Sequence, residues 1–264
     1  MERYKDKTLE FVDQTNKIFL ESFYGRNYSS KEKEHGDFVT EIDLRIERSF
    51  RDFIKITFPT HSILGEEENF DDKKSDWLWA IDPIDGTTNY MNGNPDCAIV
   101  IGLRHKNIPI IGVCSFPAKK EFYFSESGKG AYLNGVKIYS QQEESLNRVL
   151  LSTTYLNHTE RMVTMVGDIW DNVAGICMKM CSLAEACDVA SGKTGVSVLY
   201  GLGPHEWPVA YLIAKEAGCS IVSIENPNIS LDLTGVKNRS LIIAGNERLL
   251  DQAKKLIHLP PPLK

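Results

Sequence analysis

The 264-residue sequence lacks a long hydrophobic run: no apolar stretch approaches the roughly 20 residues of a membrane span. It also lacks an excess of basic residues, with 30 Lys and Arg against 36 Asp and Glu and a net charge of −6. This balance argues against a general affinity for nucleic acid or anionic membranes. The charged opening segment has no apolar core of the signal-peptide type. We therefore expect a cytoplasmic protein with no nucleic-acid partner and no membrane partner.

Cysteine is sparse and scattered, at positions 97, 114, 177, 181, 187 and 219. The spacing is typical of neither a zinc ribbon nor a disulfide framework. Cys177 and Cys181 are four residues apart, but no further soft ligand lies near them in the sequence. Most of the six lie in apolar contexts, so we interpret them as reduced core thiols.

What is present is a mixture of helical and strand patterns. Helical spacing of apolar residues predicts helices ending near Gly25 and Phe58, and short runs rich in Ile, Val, Phe and Tyr predict strands after the second helix. The segment between Asn27 and Gly36 is polar and predicts a mobile loop or a hairpin, and Asn134-Gly135 is a strong hairpin signal. The predicted strands are 77–81, 97–103, 108–115, 121–125, 148–152, 196–199, 220–223 and 241–244, and the later predicted helices are 158–168, 181–191, 206–217 and 247–258.

The predicted fold class is therefore layered α/β, with a largely antiparallel first half and an alternating second half. A polar stretch after Ser140 is the best boundary between two lobes. We expect one domain over 1–264, with an N-terminal lobe at 1–145 and a C-terminal lobe at 146–264.

Acidic residues cluster at predicted strand ends. Glu66, Glu67 and Glu68 precede the strand that begins near Trp77, and the sequence Asp82-Pro-Ile-Asp85 follows that strand. Carboxylates held this close repel one another unless a cation lies between them, and oxygen ligands suit Mg²⁺. The Ile84 carbonyl adds an oxygen, and the following Gly86-Thr87-Thr88-Asn89 predicts a helix start that favours phosphate. Taken singly, an Asp-x-x-Asp is usually a turn or a helix cap, and an acidic triplet is usually a solvated face.

Taken together, these motifs resemble the inositol monophosphatase family of metal-dependent, lithium-sensitive phosphatases. The similarity includes Gly65-Glu66-Glu67, the run from Trp79 to Asn89, and Asp37-Phe-Val-Thr-Glu-Ile-Asp43. It continues through Ser127–Gly135, Glu206–Gly218 and Leu241–Asn246, and so covers about residues 5 to 257. The resemblance implies the αβαβα sandwich of the inositol monophosphatase and fructose-1,6-bisphosphatase type, and a homodimer.

The resemblance also implies roles for individual residues. Metal would be held by Glu66, Asp82, the Ile84 carbonyl, Asp85 and Glu206, with two or three Mg²⁺ ions bound. Thr87 would act on the attacking water and donate a hydrogen bond to Asp43, and Glu67 would orient water or a further ion. The phosphate would be bound by the backbone of Asp85, Gly86, Thr87 and Thr88, and the remaining substrate contacts would come from Ser182 and Glu206.

Three departures from the family pattern affect these expectations. The family's metal-binding Asp in Trp-Asp-x-Ala falls on Glu206 when the alignment runs back from Gly218 without a gap, whereas aligning Trp207 would place Pro208 there. The alternative for Glu206 is a charge at a helix start. The neighbouring His205 is a candidate general acid, although a single histidine beside a metal site is more often structural.

The other two departures concern the substrate. The family's segment of small residues falls on Met180-Cys181-Ser182, and the acidic residue that contacts inositol hydroxyls falls on Leu199. If Leu199 faces the site, inositol esters lose a hydrogen-bond acceptor. We therefore expect hydrolysis of a small phosphate monoester of the inositol monophosphate type. The alternatives are fructose 1,6-bisphosphate, a nucleotide 3′-phosphate, NADP, histidinol phosphate, or a degenerate member with a binding or regulatory role.

Overall fold

The computed structural model describes residues 2–34, 36–153, 166–225, 233, 235 and 237–258. Its helices are α1 (Glu2–Gly25), α2 (Glu41–Thr57), α3 (Thr87–Asn92), α4 (Ser182–Ala190), α5 (Trp207–Glu216) and α6 (Glu247–Leu256). Residues 166–170 are also helical. Within these ranges, no helix combines the length and the apolar character needed to cross a membrane.

The strands fall into three sheets. A two-stranded hairpin consists of β1 (Ser30–Glu34) and β2 (Asp37–Thr40). A seven-stranded sheet has its strands in chain order: β3 (Ser62–Gly65), β4 (Trp77–Asp85), β5 (Ala98–His105), β6 (Ile108–Phe116), β7 (Glu121–Glu126), β8 (Gly130–Leu133) and β9 (Val136–Ile138). A five-stranded sheet has the order β11 (Gly175–Cys177), β10 (Leu150–Thr153), β12 (Val196–Leu202), β14 (Arg239–Ala244) and β13 (Ser220–Ser223).

Three hydrophobic clusters hold these elements in five layers. The apolar face of α1, with Phe11 and Phe19, and that of α2, with Ile46 and Phe50, pack against one side of the seven-stranded sheet. Helices α4 and α5 lie between the two sheets, and α6 covers the far side of the five-stranded sheet. The predicted αβαβα sandwich is confirmed.

The predicted elements are confirmed with small shifts at their ends. The polar segment before Thr40 forms a hairpin, and Asn134 and Gly135 both have positive φ, at 50° and 81°, in the two-residue turn between β8 and β9. The strand predicted to end at Ile81 continues to Asp85. Of the predicted helix at 158–168, residues 158–165 lie outside the described part of the chain.

Close packing of α5 on the seven-stranded sheet depends on two paired glycines. Gly102 of β5 and Gly112 of β6 are opposite each other in the antiparallel register. A Cβ atom at Gly102 would lie 2.9 Å from Val209 Cγ2, and one at Gly112 would lie 3.4 Å from Val209 Cγ1. The missing side chains therefore make the space that Val209 occupies, at the start of the helix that follows Glu206.

We expect Gly102→Ala to lower the free energy of unfolding by about 1–3 kcal/mol, because the added methyl group overpacks this contact. Urea unfolding measures the change. Adding Val209→Ala to the Gly102→Ala chain should restore part of the free energy of unfolding. Gly25→Ala is the control, because a Cβ atom at Gly25 meets nothing within 4 Å. The explanation would be contradicted if Gly102→Ala lowered the free energy of unfolding equally in the wild-type chain and in the Val209→Ala chain.

Candidate metal centre

The parallel pairing of β3 and β4 brings two acidic residues together. Gly65, the last residue of β3, is in register with Ile81 of β4. Glu66 and Asp82 follow these two residues, so both side chains emerge at the same edge of the sheet. Glu66 therefore lies directly after β3, and Asp82 lies near it within β4.

A buried ion pair on α2 holds the backbone that follows Glu66. The Glu47 carboxylate is fully buried and accepts hydrogen bonds from Arg51 at 2.7 and 2.9 Å. It also accepts from the backbone N–H groups of Glu67 at 2.8 Å and Glu68 at 3.0 Å. A Cβ atom at Gly65 would lie 1.9 Å from Glu47 Oε1, so glycine there lets the carboxylate approach the chain. These contacts position Glu66.

The end of β4 is irregular, and this irregularity places Asp85. The register with β5 shifts between Asp82 and Asp85, and the Ile84 N–H donates to Asp82 Oδ1 at 3.0 Å. The Asp85 carboxylate accepts from the N–H groups of Ser182 at 3.2 Å and Leu183 at 2.7 Å. The Cys181 thiol donates to it at 3.0 Å. Asp85 therefore accepts from the first N–H groups of α4.

Helix α3 begins directly after Asp85, as predicted. Its N-cap is Gly86, with a left-handed φ of 84°. A Cβ atom there would also lie 3.0 Å from the Asp96 carbonyl, so both the conformation and the space require glycine. The Thr87 hydroxyl donates to the Ile84 carbonyl at 3.0 Å.

Glu206 reaches the same place from the connection between β12 and α5. It is the N-cap of α5, and its Oε2 accepts from the Gly203 N–H at 2.6 Å. One carboxylate oxygen from each of Asp82, Asp85 and Glu206 can be chosen so that all three lie within 4.8 Å of one another. A second group with the same property consists of Glu66, Asp82 and His205. Asp82 belongs to both groups.

These groups line one cavity of about 300 Å³. The carboxylates lie on one part of its wall, and the start of α3 and the β1–β2 hairpin form other parts. Its lining residues are Gly36, Asp37, Phe38, Glu66, Asp82, Ile84, Asp85, Gly86, Thr87, Thr88, Met180, His205 and Glu206.

Burial sets the protonation of these carboxyls. It raises the pKa of Asp82 and Glu206 well above their ordinary values, and the neighbouring carboxylates add to the shift. It raises the pKa of Asp85 to about 6, although the hydrogen bonds from Cys181, Leu183 and Ser182 oppose this. For Glu66, burial also favours the protonated form, but the nearby His205 and Lys33 outweigh it and hold the pKa below its ordinary value. A divalent cation is the natural partner for such a set, because oxygen ligands and several negative charges suit a hard ion.

Two predicted members of the site are arranged differently from the expectation. Asp43 is the third residue of α2, where its Oδ2 accepts from the backbone and hydroxyl of Thr40 in a capping box. Its Oδ1 is buried with no hydrogen-bond partner in the described part of the chain, and burial raises its pKa to about 7. The predicted hydrogen bond from Thr87 to Asp43 is not formed, because the Thr87 hydroxyl donates to the Ile84 carbonyl.

Three further predictions concern residues at the margin of the cavity. Glu67 faces Lys33, whose Nζ lies 2.9 Å from its Oε1, and it belongs to neither three-donor group. Thr88 lines the cavity. Ser182 is not among the described residues that line it, and its N–H donates to Asp85 instead.

The expectation that Leu199 faces the site is wrong. Its side chain is fully buried in the hydrophobic cluster between the sheets, with Trp207 and Leu241 among the cluster's members. Leu199 and Leu241 are opposite each other in the β12–β14 register. A hydrogen-bond acceptor at position 199 would therefore be buried in an apolar core, so Leu199 does not affect the binding of inositol hydroxyls.

Among the residues that sequence reasoning missed are Lys33, which contacts Glu66 of the cavity wall, and Met180, which lines the cavity. Lys33, from the β1–β2 hairpin, places its Nζ 2.9 Å from Oε1 of both Glu66 and Glu67. Met180 lines the cavity with a left-handed φ of 57°, which is uncommon outside glycine. The Asn89 amide donates to the Lys179 and Asp96 carbonyls, both at 2.6 Å, and so holds the chain next to Met180. The departure of Met180-Cys181-Ser182 from the family's segment of small residues was the available signal for this position.

Comparison with known proteins agrees with this geometry. The model of the inositol monophosphatase family matches residues 8–258. The Nus factor SuhB of Pseudomonas aeruginosa is 29% identical, with 89% of each chain covered. Human inositol monophosphatase 1 is 32% identical, covering 85% of this chain and 83% of that protein. The solved structure of the Thermotoga maritima IMPase has a TM-score of 0.83 and 28% identity, covering 97% of this chain and 96% of that one. The chain belongs to the inositol monophosphatase family, as its motifs predicted.

We expect Asp82→Asn to raise the melting temperature of the metal-free protein at pH 8. The folded-state pKa of Asp82 is raised, so the folded protein binds more protons than the unfolded chain, and the free energy of unfolding falls as the pH rises above the ordinary value of 3.8. The neutral amide of the Asp82→Asn variant does not titrate, so the variant avoids this loss of stability. The difference in melting temperature between the variant and the wild type should therefore become smaller as the pH falls.

The same variant should lose the stabilisation that Mg²⁺ gives to the wild type. Thermal melts in EDTA and in Mg²⁺, from pH 5 to 8, test both effects. Asp13→Asn, on the exposed side of α1, is the matched control. A variant that melts below wild type in EDTA at pH 8 and still responds to Mg²⁺ would contradict the assignment.

Proposed function

We propose that this protein is a Mg²⁺-dependent phosphatase that hydrolyses a small phosphate monoester of the inositol monophosphate type. The observation that carries the proposal is the convergence of Asp82, Asp85 and Glu206 beside the start of α3, in one cavity. The cavity volume of about 300 Å³ suits a small metabolite. Family membership supports the same reaction class.

The proposed ligands are the carboxylates of Glu66, Asp82, Asp85 and Glu206, with the carbonyl of Ile84. The donor set fits a divalent cation because it is rich in oxygen and its members repel one another when ionised. A bound divalent cation would neutralise phosphoryl oxygens and make water a better nucleophile. We keep two or three Mg²⁺ ions as the expected number.

The remaining roles belong to groups around the carboxylates. The backbone of residues 85–88, at the start of α3, orients the phosphate, because N–H groups at a helix start favour anions. Since its hydrogen is donated to the Ile84 carbonyl, the Thr87 oxygen can accept a hydrogen bond from water and orient it. Asp43 has a buried, unpartnered Oδ1 and a pKa near neutrality, which supports it as the proton acceptor. Glu67 keeps its predicted role of orienting water or a further ion, whereas a direct substrate contact by Ser182 has no support from the lining of the cavity.

The alternatives differ in the leaving group. Fructose 1,6-bisphosphate, a nucleotide 3′-phosphate, NADP and histidinol phosphate all offer a phosphate monoester to the same carboxylates. A degenerate protein with a binding or regulatory role is a less economical interpretation, since four acidic side chains still meet in the cavity. A cytoplasmic homodimer without a nucleic-acid partner stays a prediction.

Phosphate release from a panel of these esters tests the proposal. We expect turnover of at least one ester that requires Mg²⁺ and is inhibited by lithium. Asp85→Asn should nearly abolish turnover, because the amide keeps the volume but loses the charge, whereas Asp13→Asn should not. Metal-independent turnover, or an active Asp85→Asn protein, would refute the proposed site.

Glu206→Gln tests the departure from the family's aspartate. We expect the Mg²⁺ concentration for half-maximal activity to rise by roughly 10–100-fold, as for other disturbed metal sites. The melting temperature in EDTA should not fall, because a buried carboxyl with a raised pKa is replaced by a neutral amide. Glu10→Gln, on the exposed side of α1, is the control. An unchanged Mg²⁺ requirement would remove Glu206 from the metal centre.

A further inference from the structure

The two three-donor groups differ in chemistry. Asp82, Asp85 and Glu206 offer oxygen atoms alone, whereas Glu66, Asp82 and His205 offer two carboxylates and an imidazole nitrogen. All three donor atoms of the second group can lie within 4.8 Å of one another, the spacing of ligands around one ion. The site therefore presents two different ligand environments that share Asp82.

The position of the His205 ring depends on the glycine two residues before it. A Cβ atom at Gly203 would lie 2.4 Å from His205 Cε1 and 2.8 Å from its Nε2. Any side chain at position 203 would therefore move the ring. The Gly203 N–H donates to Glu206 at 2.6 Å, so this residue positions one member of each ligand group.

The ring nitrogens are available for a ligand. Neither forms a hydrogen bond within the described residues, and the nearest charged partner of Nε2 is Glu206 Oε2, at 3.7 Å. The side chain is only 13% exposed, so few water molecules can reach it. A largely buried imidazole without a hydrogen-bond partner, next to two carboxylates, has the surroundings of a metal ligand.

We propose that Glu66, Asp82 and His205 form a mixed nitrogen–oxygen site for a first-row transition-metal ion such as Mn²⁺, Co²⁺ or Zn²⁺. Imidazole favours these ions over Mg²⁺, whereas the all-oxygen group remains suited to a hard cation. This proposal rests on the proposed function in one respect, since the two sites share Asp82. It differs from it by assigning a nitrogen ligand and a different preferred metal to one position.

Lys33 competes with such an ion for the Glu66 carboxylate. Its Nζ contacts Glu66 Oε1 at 2.9 Å and lies 3.4 Å from Asp37 Oδ1. A cation at the mixed site must therefore share Glu66 with the lysine or displace it. A doubly charged ion that also gains a nitrogen ligand has the advantage in that competition.

Pulsed electron paramagnetic resonance of bound Mn²⁺ tests the nitrogen ligand directly. Protein without a histidine tag, in a buffer free of coordinating nitrogen, is loaded with Mn²⁺ alone. We expect modulation from a coordinated ¹⁴N nucleus in the wild type and its loss in His205→Gln. His258→Gln, which changes a histidine paired with Asp168 far along the chain, should keep the signal.

Affinity measurements give a second readout. His205→Gln should weaken Mn²⁺ binding by roughly 10–100-fold, by analogy with other disturbed metal sites, and should change Mg²⁺ binding much less. Gly203→Ala keeps the imidazole but displaces it, so it should also lose the ¹⁴N modulation. This second variant keeps the test decisive if His205→Gln does not fold.

The outcomes separate the two proposals. Wild-type protein that binds Mn²⁺ without ¹⁴N modulation, or modulation that persists in both variants, overturns the mixed site and leaves Mg²⁺-dependent phosphate release untouched. Modulation that is lost in the variants, in a protein that releases no phosphate from any ester, supports the mixed site and refutes the phosphatase proposal.

Discussion

The repulsion among buried carboxylates at one edge of the seven-stranded sheet is the constraint on which the rest of the structure depends. Asp82 and Asp85 come from β4 and Glu206 from the start of α5, and removal from water makes the ionisation of all three unfavourable. Close packing of the five layers is compatible with this arrangement only because each carboxylate has compensating contacts. Asp85 accepts from the start of α4, Glu206 accepts from Gly203, and Asp82 accepts from Ile84.

Positioning of the site is divided between rigid elements and a hairpin. The β3–β4 pair and the Glu47–Arg51 ion pair hold Glu66, and glycines at Gly65 and Gly86 allow the necessary close approaches. The β1–β2 hairpin contributes Lys33, the one positive charge that contacts both Glu66 and Glu67 among the described residues. Asp82 and Asp85 thus lie near the end of β4 and Glu206 at the start of α5, while the balancing charge comes from the β1–β2 hairpin.

Much of this arrangement follows from local sequence patterns. The acidic clusters around Glu66 and Asp82 could be recognised from the sequence, and the helix at Thr87 could be predicted from the residues that begin at Gly86. The direction of the Leu199 side chain could not be predicted. Residues Val196 to Leu199 of β12 are all buried, so this part of the strand shows no alternation of buried and exposed residues from which its two faces could be told apart. The orientation of His205 depends on the close approach of Gly203, which no single-sequence pattern contains.

The link between Asp85 and helix α4 has a consequence for how the state of the site can be observed. The N–H groups of Ser182 and Leu183 point at the same carboxylate that faces the cavity. Any ligand that withdraws electron density from Asp85 weakens both hydrogen bonds. This changes the environment of the first turn of α4, which is buried between the sheets. The amide resonances of these two residues are therefore built-in reporters of the charge on Asp85, readable without substrate and without turnover.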